Sequence, residues 1–241
     1  VRPGHRLAVV ATIVAAAALT GACAGMPRVP AGEAESAQDQ RAADLYIRAR
    51  EQFTTMADEL HTVIMAIKPT DWRVDQGQYG ARPSGCQVGV SSATGYSFTA
   101  VRAIELPGRD AAEVASAASD AFTELGVDAD AVERGSGDAR EVTVVGQSDT
   151  ARTVVVIRPV DGRVLVTSET ACAAGSISDI LTTMFGEELY PDDVWRRLPA
   201  TEGPSSVPQF FFPPDGPVYY DETGVPLQPQ PLVTDPPIPA R

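Results

Sequence analysis

Histidine and lysine are nearly missing from this chain. Two histidines occur in 241 residues, and Lys68 is the only lysine among 19 basic side chains. His5 belongs to the N-terminal segment, which leaves His61 as the only histidine elsewhere. A hydrolase with an imidazole base therefore has one candidate residue, and no G-x-S-x-G elbow accompanies it. His61 lies beside the apolar stripe of a helix, between Leu60 and Thr62, and reads as a boundary histidine rather than a general base. Cysteine is also scarce: three residues, Cys23, Cys86 and Cys172. Cys23 lies beside the N-terminal apolar run and reads as spent on lipid; the two remaining cysteines and one histidine are too few ligands for a closed zinc site, so no metal and no cofactor is expected. Aromatics make up 6% of the chain, and its two tryptophans, Trp72 and Trp195, read as core or domain-edge anchors. Apolar runs are short. The longest, Leu7 to Leu19, spans 13 residues, whereas a membrane-crossing helix needs about 20.

Positive charge is in deficit as well. Against 32 acidic residues the formal net charge is −13, and it becomes more negative by two if Arg2 and Arg6 leave with a signal. Such a surface repels nucleic acid and anionic headgroups, so neither is an expected partner. The abundance of carboxylates also weakens any single pair as a catalytic dyad. Glu187-Glu188 and Asp192-Asp193, either side of Tyr190-Pro191, read as solvated surface, as do Asp128 and Asp130. Asp128-x-Asp130 lacks the other ligands and the glycine of a calcium loop. Gly135-Ser136-Gly137 lies between two strand candidates and is a turn, not a phosphate cradle.

The N-terminus, by contrast, is informative. Arg2 and Arg6 precede the 13-residue apolar run, which is the form of a secretory signal. Thr20-Gly21-Ala22-Cys23 follows, small residues before a cysteine, as in a bacterial lipobox. Ala22-Cys23-Ala24 also fits ordinary A-x-A cleavage, but a cysteine at this point favours lipidation. Residues 1–22 are then a lipoprotein signal peptide, and Cys23, bearing fatty acyl chains such as palmitate, anchors the chain stably to a membrane face. Once Cys23 is acylated, Cys86 and Cys172 remain as an even pair, which in an exported protein implies a disulfide.

Residues 23–32 form a short tether with proline and glycine. From 33 to 67 the chain is helical: Leu45, Ala49, Phe53, Met56, Leu60, Ile64 and Ile67 recur at the 3.6-residue period, and Pro69 closes the segment. Trp72, Val74 and Tyr79 mark an extended piece, and a Gly/Pro/Ser loop carries Cys86. One long strand is expected over 96–106 and a second helix over 110–125, with a thin, alanine-rich face that suits close approach to a sheet. Strands follow at 141–146, 152–157 and 163–168, the last two joined by a two-residue Asp161-Gly162 turn. A third helix is expected over 176–185, with Ser176 as its cap. The expected fold is α+β: an antiparallel sheet with helices packed on one face, clipped by Cys86–Cys172, in a single domain over 33–198. Twelve of the 20 prolines fall in 199–241, which reads as an extended, proline-rich tail. Its Phe210-Phe211-Phe212 and Tyr219-Tyr220 either pack back on the domain or form a docking segment.

Cys23 in its lipobox, the helix ending Ile67-Lys68-Pro69, Trp72-Arg73-Val74, Cys86 before the sheet, Cys172 after its last strand and the proline-rich end together resemble the LppA-like family of actinobacterial lipoproteins. The likeness is one of feature order over about residues 19–200, and no catalytic motif belongs to it. It implies a cell-envelope protein on the outer face of the membrane. With no catalytic constellation in view, the expectation is a non-enzymatic binding module. Its partner is an envelope protein or a wall component, engaged through the tail. A carrier of a lipid or other apolar molecule, held between helices and sheet, is the alternative, and a hydrolase acting through carboxylates alone comes last.

Overall fold

A computed structural model describes residues 31–79, 83–89, 94–185 and 200–206. Helix α1 (Ala31–Ile67) carries the stripe foreseen above: Leu45, Ala49, Phe53, Met56, Leu60, Val63, Ile64 and Ile67 are all buried. Burial of that stripe, at about 25 cal/mol per Å² of apolar surface, is what holds so long a helix on the body. Lys68 still closes the ladder, its N–H donating to the Ile64 carbonyl, before Pro69 diverts the chain.

Seven strands make the main sheet, all antiparallel: β1 (Trp72–Tyr79), β4 (Thr99–Glu105), β5 (Ala129–Arg134), β6 (Glu141–Gln147), β7 (Ala151–Arg158), β8 (Arg163–Thr170) and β10 (Thr201–Glu202). Their spatial order is β10-β1-β4-β8-β7-β6-β5. A smaller sheet pairs β2 (Ser84–Gln87), β3 (Thr94–Ser97) and β9 (Ala173–Ala174) in the order β2-β3-β9. Helix α2 (Ala111–Glu124) leaves β4 in the middle of the main sheet and delivers the chain to β5 at its far edge. Asp110 caps it by accepting the Ala112 N–H at 2.9 Å, and Gly126, at φ +71°, turns the chain away after its last turn. Helix α3 (Ile177–Phe185) packs on α1, with Ser176 accepting the Asp179 N–H at its start.

The fold class is as expected, α+β with antiparallel pairing and a Cys86–Cys172 disulfide. The core lies on one side of the main sheet. Val142, Val144, Ala151, Val155, Ile157, Val164 and Val166 point into it with α1 and the alanine face of α2. Four local expectations are corrected. The strand foreseen over 96–106 is two: β3 serves the small sheet and β4 the large one, and Phe98 between them turns its ring into the core. The loop around Cys86 is itself a strand, because β3 supplies its pairing partner. The turn before β8 is longer than two residues. Arg158 pairs with Arg163, so Pro159 to Gly162 all lie in the loop: Pro159 has no N–H to offer the ladder, and only Gly162, at φ +68°, needs the left-handed region. At the C-terminal side, residues 201 and 202 are not tail. They pair with Arg73 and Trp72 at the sheet edge.

Candidate functional site

Among the described residues three places could carry function: a buried ionic cluster, a pocket by the disulfide, and the second face of the main sheet. The cluster comes from three elements distant in sequence. Arg102 alternates inward on β4, its neighbours across the strands being Val74 and Val166. Glu202 points inward from β10, opposite Trp72. His61 lies on α1 above them. Glu202 Oε2 accepts the Arg102 Nε–H at 2.6 Å, and Oε1 is 2.7 Å from His61 Nδ1. Arg102 and Glu202 are sealed at 1% and 0% exposure, while the His61 side chain keeps 21%. Burial pushes the Glu202 carboxyl upward, but the Arg102 charge and the hydrogen bonds from His61 and Arg102 outweigh it and hold it below its ordinary value. Arg102 also donates to the carbonyl of Val101. His61 is thus a boundary residue with an ionic partner, and the cluster fastens residues 200–206 to the body. No hydroxyl or thiol nucleophile joins it in these contacts.

A second polar clasp links α1 to the turn between β6 and β7. Ser148 Oγ donates to Glu59 at 3.0 Å and accepts the N–H groups of Thr150 and Ala151. Burial raises the Glu59 carboxyl, and the Ser148 hydrogen bond offsets part of that rise.

Beside the disulfide an open pocket of about 440 Å³ is lined by Cys86, Gln87, Gly95, Ile177 and Ser178, among others. Among the described residues its lining has no ionisable side chain, and it lies against the small sheet and the start of α3, away from the helix–sheet layer. Within that layer side chains pack closely at two points. The Phe122 ring stands only 2.4 Å from where a Cβ on Gly146 would be, and the Phe53 and Phe98 rings meet edge to face at 5.6 Å.

The second face of the main sheet has a different character. Alternation turns Val101 and Ala103 of β4, Leu165 of β8, Val154 and Val156 of β7, Val145 of β6 and Val132 of β5 toward it. None belongs to the core cluster, and among the described residues no helix covers them. Val101 and Ala103 are buried among their neighbours, whereas Val145, Val154, Val156 and Leu165 are partly exposed and Val132 is 47% exposed. Charges of both signs frame this patch: Arg152 and Glu169 at one end, and Glu105, Arg163, Arg158 and Glu141 at the other.

The residues singled out in the sequence fall into separate places. Cys86 and Cys172 are joined, S–S 2.06 Å, with Cα atoms 5.9 Å apart. Trp72 is fully buried and donates its indole N–H to the Lys68 carbonyl at 3.0 Å, as a core anchor should. Asp128 and Asp130 are exposed. Cys23, Glu187, Glu188, Asp192, Asp193, Trp195 and the aromatics of 210–220 lie outside the described residues. Among the described residues no group of His, Cys, Asp and Glu could hold a metal ion, and no helix is long and apolar enough to cross a membrane. No protein-family model, curated protein or solved structure matches this chain.

Proposed function

We propose that the chain is an exported, lipid-anchored, non-enzymatic binding module of the cell envelope, held at the outer membrane face through Cys23, and that the second face of its main sheet receives a partner protein. The observation that carries this reading is the patch of Val145, Val154, Val156 and Leu165, which no helix among the described residues covers and which charges of both signs frame. An apolar centre within a polar rim is the ordinary anatomy of a protein interface. The patch presents methyl groups, which suit an apolar protein surface better than a hydroxyl-rich wall glycan. The resemblance to LppA-like lipoproteins and the signal-like N-terminus support the location.

The test is comparative recovery from membranes. Full chain, anchored in an actinobacterial host, is purified as wild type, as Leu165→Glu and as Ser116→Glu, the last on the exposed side of α2. The expected result is an envelope protein whose recovery falls about tenfold with Leu165→Glu and stays unchanged with Ser116→Glu. Partners recovered equally from all three would overturn the role of the face.

A further inference from the structure

Among the described residues the far edge of the main sheet is β5, paired with β6 on one side only. Its register with β6 runs unbroken from Ala129 to Arg134, with no bulge and no proline to blunt the edge. Its sequence, Asp130-Ala131-Val132-Glu133-Arg134, is complementary to itself when read in reverse. We propose that β5 pairs antiparallel with β5 of a second copy of this chain, about a two-fold axis through Val132, giving one continuous sheet across a homodimer.

In that register Val132 faces its own copy, Asp130 faces Arg134 of the other chain, and the same pair recurs across the axis. Asp130, Val132 and Arg134 alternate onto the second sheet face, so both ion pairs and the central valine contact lie on one side. The edge is open: all of Asp130 to Arg134 is exposed, with Val132 at 47%. Arg134 stands opposite Glu141 within its own hairpin, yet among the described residues it makes no ion pair within 4 Å. Glu133, on the other side of the strand, is already neutralised. Arg140 holds its carboxylate through two hydrogen bonds, at 2.8 and 3.1 Å, so it brings no free like charge to the axis. An isologous contact requires this self-complementarity, since each patch must match itself. Edges guarded against pairing carry charged side chains, prolines or bulges; the charges of β5 that face the axis, Asp130 and Arg134, are of opposite sign and each meets its opposite in the two-fold register. A strand of six residues is small beside the roughly 1,200–2,000 Å² of a standard interface, so the association is weak and depends on concentration.

Oxidative trapping tests the register. In full chain with Cys23→Ser, Val132→Cys supplies the only thiol outside the Cys86–Cys172 bond, and two-fold pairing sets it directly against its own copy. Val132→Cys is expected to form a disulfide dimer under mild oxidation, and Ala131→Cys, which would face Glu133, is not. Adding Asp130→Arg or Arg134→Asp should each slow trapping about tenfold, and the two together should restore it, because the swapped charges again match. These changes sit on an exposed edge away from the core, and circular dichroism checks that the fold is kept. The pairing is overturned if Val132→Cys stays monomeric, if Ala131→Cys traps equally well, or if the charge reversals have no effect.

Discussion

Glu202 carries more of this structure than its place in the chain suggests. One oxygen of its carboxylate accepts from the buried Arg102 guanidinium, and His61 holds the other. Breaking a buried pair by removing one partner costs about 3–5 kcal/mol, since the remaining charge stays buried and loses that compensation. Glu202→Gln is therefore expected to lower the urea midpoint by that equivalent, and Arg102→Met by a similar amount. His61→Ala removes one hydrogen bond at a partly exposed position, at about 1–3 kcal/mol. The pH dependence follows from the depressed Glu202 carboxyl. Above the ordinary carboxylate value of 4.5 its contribution is complete. As pH falls through the lower folded value, the unfolded chain binds more protons than the folded one and stability drains away. The wild type should thus lose stability below about pH 4.5 more steeply than Glu202→Gln, measured by urea unfolding at each pH. A single sequence marks His61 by its rarity. Nothing local marks Glu202 as its partner, because 141 residues separate them and Glu202 lies in a stretch whose prolines imply a tail.

Elements were legible where one segment carries its own signal. The α1 stripe, the alanine face of α2 and the alternation of β6, β7 and β8 each follow from local periodicity. The small sheet and β10 were not legible, since Ser84–Gln87 and Thr201–Glu202 have no strand pattern of their own and exist through their partners, β3 and β1. The close packing of α2 makes a direct prediction. A Cβ on Gly146 would fall 2.4 Å from the Phe122 ring, so Gly146→Ala must displace it and should cost about 1–3 kcal/mol, partly recovered by Phe122→Leu. The disulfide joins the small sheet to the end of β8 across a separation of 86 residues. Replacing both cysteines by serine should cost about 2–5 kcal/mol in the same unfolding assay.

At the scale of the molecule, the sheet has two unlike faces. One is sealed by α1 and α2. The other presents Val145, Val154, Val156 and Leu165 within a charged frame, and β5 opens at its margin. Alternating valines in three successive strands could be read from sequence, but which face the helices would cover could not, because both faces of β7 and β8 are apolar at their centres. The measurement that bears most directly on the proposed role is site-specific photocrosslinking from position 156. A photoreactive residue replaces Val156 in the lipid-anchored full chain within an actinobacterial envelope. The account predicts one recurring adduct with another envelope protein, lost with Leu165→Glu and kept with Asp130→Arg. A crosslink to residues 207–241 of the same chain, or adducts with lipid or wall glycan alone, would contradict it.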